Sequence, residues 1–308
     1  MEGAGPKVIV AAPRGCCAGG SRAGEIVEAA LQRWGPPVYV RKQIVHNKRV
    51  VGELAAKGAV FVDELQAVPP DRPLIFSAHG ISPDVRTEAA DLALRTIDAT
   101  CPLVTKVHSE AQRFARNGYD IVYIGHEGHD EAVGTMGEAP ERMHLVESAE
   151  DVERLKIASD RKVAYLTQTT LGVDETKEII AALSRRFPSM ASPTKEDICY
   201  AATNRQLAVK LMARECDLLL VVGSQNSSNA HRLVEVARAA GTPAYLIDGP
   251  DDLQGEWLER AGTIGVTGSA STAEAAVQEL VAALGPSGVE EFRAVEEDVR
   301  FNLPPELR

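Results

Sequence analysis

No run of apolar residues in the chain approaches the roughly 18 that a membrane helix needs. The stretch 218–222 has the length of a buried strand instead. The start of the chain lacks a signal-peptide layout, so the expected location is cytoplasmic. Positive charge is in short supply: 33 Lys and Arg stand against 44 Asp and Glu, a net charge of −11. A field of that sign argues against nucleic acid or an anionic membrane surface as partner. It leaves room for a small anionic substrate held by local donors. Cysteines occur only at 16, 17, 101, 199 and 216, too scattered for a disulfide framework. Cysteine pairs separated by two residues, the mark of zinc ribbons and ferredoxin-like runs, are missing. So are a Walker loop and a dinucleotide-binding GxGxxG fingerprint.

What is present is an alternation. Strand-like runs at 8–12, 38–40, 74–76, 96–98, 120–124, 162–166, 217–222, 244–247 and 263–266 are separated by segments with helical spacing. With 308 residues, about two or three α/β units are expected, built on parallel sheets. Ligands in such sheets bind beyond the C-terminal strand ends. Nearly every unusual polar group of this sequence falls there. From residue 285 the chain is acidic and proline-containing, with a short strand expected at 299–303.

The sequence Pro13-Arg14-Gly15-Cys16-Cys17-Ala18-Gly19-Gly20 sits between one such strand and a helix with Ala23, Ile26, Val27, Ala30 and Leu31 on one face. A thiolate is favoured at a helix N-terminus. Strand–turn–cysteine–helix recurs at Cys101 and Cys199. Spacing alone supports a shared metal centre no better than three buried cysteines. Three thiolates on a four-iron cluster would leave one iron open, as a Lewis acid and electron source. Cys216 directly precedes a strand and reads as a buried small residue.

His46, His79 and His129 share the strand-end geography and suggest a donor-rich pocket. His126, His129 and Glu131 resemble zinc-hydrolase ligands only superficially, because the helical His-Glu-x-x-His arrangement is absent. His108, His144 and His231 read as structural or peripheral. Ser227-Ser228-Asn229 and Ser271-Thr272 each precede a helix and could hold phosphate without lysine. Ordinary N-capping explains either site taken alone.

Taken together these residues resemble one family, the iron–sulfur 4-hydroxy-3-methylbut-2-enyl diphosphate reductases (IspH/LytB). The matching stretches include Pro13-Arg14-Gly15-x-Cys17-Ala18-Gly19, Val45-His46-Asn47, Phe76-Ser77-Ala78-His79-Gly80 and Ala99-Thr100-Cys101-Pro102-Leu103-Val104-Thr105-Lys106-Val107-His108. Further along come Gly128-His129-x-Glu131, Gln168-Thr169-Thr170-Leu171, Asp197-Ile198-Cys199-Tyr200-Ala201, Thr203-Asn204-Arg205-Gln206 and Ser227-Ser228-Asn229.

The resemblance implies three similar α/β domains around a central [4Fe-4S] cluster with three cysteine ligands, Cys17, Cys101 and Cys199, and one open iron. The expected division is 1–101, 102–198 with Cys101 at its boundary, 199–285, and a tail 286–308. The family's activity is reductive removal of the allylic hydroxyl of the substrate diphosphate, giving isopentenyl and dimethylallyl diphosphates, the last step of the methylerythritol phosphate pathway. The catalytic residues carried over are Glu131 as proton source, Thr169 and His129. The diphosphate pocket maps onto His46, His79, His129, Thr169, Ser227, Ser228, Asn229 and Ser271. A ferredoxin or flavodoxin would supply electrons, with no nucleic acid or membrane partner.

This chain departs from the family at Cys16, usually an aromatic, and at Gly20-Ser21, usually Val-Asp. Ala202 stands where Thr is common, and the loop 267–271 makes Ser269 the alternative to Ser271. Other classes consistent with the residues are an iron–sulfur redox sensor on the same fold and a zinc phosphohydrolase.

Overall fold

The computed structural model describes residues 5–158 and 160–308. In chain order the strands are β1 (Lys7–Ala12), β2 (Val38–Arg41), β3 (Ala59–Val62), β4 (Pro73–Phe76), β5 (Arg95–Asp98), β6 (Asp120–Ile124), β7 (Met143–Val146), β8 (Val163–Thr167), β9 (Leu218–Val222), β10 (Ala244–Ile247), β11 (Thr263–Gly268) and β12 (Gly288–Arg293). The helices are α1 (Ala18–Trp34), α2 (Lys48–Ala56), α3 (Pro83–Asp91), α4 (Pro102–Arg116), α5 (Asp130–Met136), α6 (Ala149–Arg154), α7 (Val173–Arg186), α8 (Tyr200–Met212), α9 (Ser228–Ala239), α10 (Gly255–Leu258) and α11 (Glu274–Ala283). No helix among the described residues is long and apolar enough to cross a membrane.

The strands form three sheets, β10-β9-β11-β1-β12, β3-β2-β4-β5 and β7-β6-β8, and all their pairings are parallel. The parallel α/β expectation holds, three times over. The chain forms two compact units. One comprises the residues up to Ser21, His46–Val50 and Tyr200–Arg300; the other comprises Arg22–Val45, Val51–Cys199 and Phe301–Arg308.

The first unit holds the five-stranded sheet. Val8 and Val10 of β1 pack on one face with Leu220, Val266, Val277 and Leu280. Ile9 and Ala11 pack on the other with Ala208, Val209 and Leu233. Both faces are covered by helices, which is why β1 and β9 are continuous apolar runs. The pairing cuts across the contiguous bounds 1–101, 102–198 and 199–285. β1 lies between β11 and β12, with Lys7 opposite both Thr263 and Gly288.

The strand expected at 299–303 is not formed, and the tail's strand is β12 at Gly288–Arg293. Its glutamates are exposed, as suits an edge strand, so no apolar periodicity marks it. The second unit holds the other two sheets. Phe76 and Leu74 pack with Ile81 and Ala89 beside β4. Val107, Ala111 and Phe114 of α4 pack on Ile121 and Tyr123 of β6.

Candidate active site

In the first unit the chain leaves β1 through a turn in which Gly15 takes a φ of +67°. A Cβ at Gly15 would also lie 3.0 Å from the Thr272 carbonyl. Only glycine combines that angle with that approach. The Cys17 N–H then donates to Ala270 O at 2.9 Å, and the Gly20 N–H donates to Cys17 Sγ at 3.3 Å. Cys17 is half-buried and Cys16 is exposed. Both sulfurs crowd the Cα of Gly20, where a Cβ would meet Cys16 Sγ at 3.0 Å and Cys17 Sγ at 3.7 Å. The glycine that departs from the family's usual valine thus makes room for the extra thiol.

The same unit carries the hydroxyl-rich loops. Ser227 is the N-cap of α9 and accepts from the Ala230 N–H, so ordinary capping holds there. Asn229 is 4% exposed. Its Oδ1 accepts from the Ala270 N–H at 2.8 Å, while its Nδ2 has no hydrogen-bond partner within the protein. A buried amide donor without a partner costs about 1–3 kcal/mol and is an invitation to an acceptor.

The second loop does not cap its helix. α11 begins at Glu274 with Ala273 at the N-cap, and Thr272 turns back to donate to Val222 O at 2.8 Å. Ser271 Oγ donates to His46 O at 3.0 Å, tying the histidine's backbone to this loop. Ser269 is fully buried and bonds Thr272 Oγ1 at 2.9 Å. The half-buried hydroxyl is therefore that of Ser271.

In the second unit Cys101 is the N-cap residue of α4, and its N–H donates to Ala78 O at 2.9 Å. Cys199 immediately precedes α8, and its N–H donates to Thr169 O at 2.9 Å. All three cysteines thus end a turn, start a helix, and are pinned by the backbone N–H to a loop that follows a strand. None of the five cysteines is in a disulfide. Burial pushes the Cys216 thiol up to about 12, helped by Glu215 and Asp217, as befits a structural thiol.

His79 and His129 stand edge to face with ring centroids 6.0 Å apart. His129 is the N-cap of α5, and its Nδ1 accepts from the Glu131 N–H at 3.1 Å. In the neutral ring the proton therefore sits on Nε2. Glu131 is 2% exposed. Its Oε1 accepts from the Thr169 N–H at 2.6 Å and its Oε2 from Thr169 Oγ1 at 2.9 Å. Burial pushes its pKa up to about 7; the two Thr169 bonds pull the other way, and the charge of Asp197 adds to the rise. Thr169 thus holds the carboxyl with its donors and the Cys199 turn with its carbonyl.

This shift has a thermodynamic sign. A carboxyl near 4.5 when unfolded and about 7 when folded binds its proton more tightly in the native state. Its contribution is full below about 4.5 and is lost as pH rises through about 7, roughly 3 kcal/mol in all. The urea midpoint of the cluster-free chain is expected to fall across that window. The fall should shrink in Glu131→Gln.

His108 sits where three site-bearing segments meet. Its Nδ1 is 2.7 Å from Glu138 Oε1. A Cβ at Gly80, next to His79, would lie 2.9 Å from its Nε2. A Cβ at Gly134, one turn after Glu131, would lie 3.3 Å from its Cε1. The structural reading of His108 stands, with the added role of a spacer. Gly80 has φ +83°, so Gly80→Ala combines a left-handed backbone with a clash. It is expected to cost about 2 kcal/mol, measured by urea unfolding. His144 pairs with Asp120 and His231 with the Gln225 carbonyl. His126 is anchored through its N–H to Gln168 Oε1 at 3.0 Å.

A model of the LytB protein family matches residues 8–285. The chain belongs to the LytB family. Among LytB relatives, 306 residues are 56% identical to a 4-hydroxy-3-methylbut-2-enyl diphosphate reductase of Mycobacterium ulcerans, covering 98% of this chain and 92% of that one. A protein of the same name from Streptomyces avermitilis is 53% identical over 308 residues, covering 99% and 91%. Of solved structures, the E-1-hydroxy-2-methyl-but-2-enyl-4-diphosphate reductase from Plasmodium falciparum superposes with a TM-score of 0.96 at 40% identity, covering 98% and 97%.

The LytB resemblance implies an iron–sulfur centre, and the donor set fits one. Three soft thiols stand at helix N-termini, each with its backbone pinned. Asp197, two residues before Cys199, was legible only as part of a motif. It is buried, bonded to Lys106 Nζ at 2.5 Å and to the Thr167 N–H, and burial pushes its pKa up to about 6. No periodicity marks such a residue, since its importance comes from partners 30 and 91 positions away.

Proposed function

We propose that the protein reduces 4-hydroxy-3-methylbut-2-enyl diphosphate to isopentenyl and dimethylallyl diphosphates, in the cytoplasm, with electrons from a ferredoxin or flavodoxin. The observation that carries this reading is Glu131: a buried carboxyl near neutrality, held by Thr169, in a chain of the LytB family. The C–O bond of a hydroxyl breaks readily only if the oxygen leaves as water. The balance is two electrons and two protons in, one water out. A group with a pKa of about 7 can carry a proton at neutral pH and give it up.

Cys17, Cys101 and Cys199 would hold a [4Fe-4S] cluster with one iron open. When bound, it supplies single electrons and a Lewis acid for the hydroxyl oxygen. The chain's own residues do the rest. Asn229 Nδ2 offers a desolvated donor to a phosphoryl oxygen. Ser227, Ser228 and the first turn of α9 add hydroxyl and N–H groups suited to a diphosphate. Ser271 contributes a hydroxyl, and His46, His79 and His129 complete the donor set. His129, through its Nδ1, also fixes the first turn of the helix that carries Glu131. Thr169 orients both oxygens of that carboxyl.

The test is anaerobic purification, iron and sulfide analysis, and turnover of the diphosphate with a reduced ferredoxin or dithionite-reduced viologen. Expected are about four irons per chain and formation of both products. A cluster that forms without any reduction of substrate would point to a redox sensor. Zinc without iron would point to a phosphohydrolase.

A further inference from the structure

Each of the three cysteines follows a turn whose carbonyls are gripped by a buried or half-buried cation. Arg205, 1% exposed, donates from Nε to Gly15 O at 2.9 Å and from Nη2 to Arg14 O at 3.5 Å, just before Cys17. Arg22 donates from Nη1 to Ala99 O at 3.3 Å and to Thr100 O at 3.1 Å, just before Cys101. Lys106 Nζ donates to Lys195 O at 2.5 Å and to Glu196 O at 3.5 Å, just before Cys199. In every case one cation takes two successive carbonyls.

The order of the cations is informative. Arg22 lies on α1, the helix that Cys17 starts, and it grips the turn of Cys101. Lys106 lies on α4, which Cys101 starts, and it grips the turn of Cys199. Arg205 lies on α8, which Cys199 starts, and it grips the turn of Cys17. The offsets from cysteine to cation are five, five and six residues, about one and a half helical turns. The relation is a closed cycle: each cysteine's helix carries the cation that fixes the next cysteine.

We propose that Arg22, Lys106 and Arg205 are positioning residues, each of which sets the turn of one of the three cysteines for the iron–sulfur centre. The proposal rests on the reading of these cysteines as its ligands. The physical need is plain. A turn entering a helix has carbonyls that no ladder satisfies, and water would satisfy them without fixing their direction. Two charge-assisted bonds from one cation fix two successive peptide planes. At Cys101 these planes lead directly into the cysteine; at Cys17 they end one residue before it, and at Cys199 two residues before it, so the clamp fixes the turn that delivers the cysteine. Arg205 is itself held by Glu297 at 3.0 Å, and Arg22 by Asn302 O at 2.8 Å, so the clamps are not loose surface groups. Lys106 is held by Asp197.

The experiment uses the full chain with Arg22→Met, Lys106→Met, Arg205→Met and the charge-keeping swaps Arg22→Lys, Arg205→Lys and Lys106→Arg. Reconstituted protein is followed for iron content and for loss of the cluster's visible absorbance in aerated buffer. The Met variants are expected to lose the cluster about tenfold faster than the unsubstituted chain. Lys106→Arg, which can still reach two carbonyls, should restore near-normal decay. The Arg→Lys swaps, with a single ammonium in place of a fork, should be intermediate.

Hydrogen exchange of the cluster-free chain gives an independent reading. Arg22→Met should speed exchange at 99–101, Lys106→Met at 195–199 and Arg205→Met at 14–17, each leaving the other two segments unchanged. Normal cluster decay in the Met variants, or exchange unchanged at the clamped segment, overturns the proposal. Should Arg22→Met or Arg205→Met fail to fold, the intermediate decay expected of its Arg→Lys swap decides the matter; should Lys106→Met fail to fold, the same comparisons in Lys106→Gln, which loses the charge, take its place. An unsubstituted chain that takes up no iron sinks the reductase reading alone, because the exchange experiment still reports on the clamps.

Discussion

Glu131→Gln is expected to lower turnover of the diphosphate by about two to four orders of magnitude while leaving the cluster and the fold in place. The glutamine keeps an oxygen for the Thr169 N–H, the shorter of the two bonds at 2.6 Å. It keeps the volume in a site that is 2% exposed. What it loses is the dissociable proton. The same residue dictates a pH profile. With a pKa of about 7, the proton-bearing form declines as pH rises past neutrality, so turnover should fall on the alkaline side. Residual activity in Glu131→Gln should show no such limb. Steady-state rates across pH, with iron content measured in each preparation, check both statements. Full turnover in the glutamine variant with an intact cluster would remove Glu131 as proton source.

Cys17→Ser is expected to abolish the cluster, while Cys16→Phe retains it together with activity. The two thiols are adjacent, yet their settings differ. Cys17 is half-buried, with its N–H tied to Ala270 O and its sulfur receiving the Gly20 N–H. Cys16 is exposed, with its sulfur beside Gly20. A serine hydroxyl is a hard, weakly acidic donor and cannot stand in for a thiolate on iron. The phenylalanine has solvent on its outer side and needs no room inside, provided Gly20 stays a glycine. Iron and sulfide per chain, with the visible spectrum, read the outcome. The reverse result would mean that the register of this turn is misassigned.

The sequence revealed the central strands of each sheet more readily than its edges. β1 and β9 are covered on both faces and appear as unbroken apolar runs. The three strands not read from the sequence, β3, β7 and β12, all lie at sheet edges, and β12 is exposed along nearly its whole length. For the site, residues at strand ends were legible because glycine, histidine and serine are conspicuous there. Three kinds of information were not. The pKa of Glu131 is set by how deeply it is buried. The rank of Ser271 over Ser269 depends on which hydroxyl is half-exposed. The cations of α1, α4 and α8 look like solvated helix charges until their acceptors are known. Arg22 and Ala99, for example, are 77 residues apart.

The position of β1 has a consequence for how the protein is made. β1 finds its two neighbours, β11 and β12, only after residues 263–293 have been synthesised. The β2–β5 and β6–β8 sheets draw on strands close in sequence and can assemble as they emerge. The sheet that β1 joins must wait. The turn carrying Cys17 therefore takes its final form only after a stretch about 250 residues further along the chain has been made. Until then its two thiols are carried on an unpaired segment, open to oxidants and to stray metal ions. An iron–sulfur centre held by Cys17 would accordingly be completed only after β11 and β12 are in place.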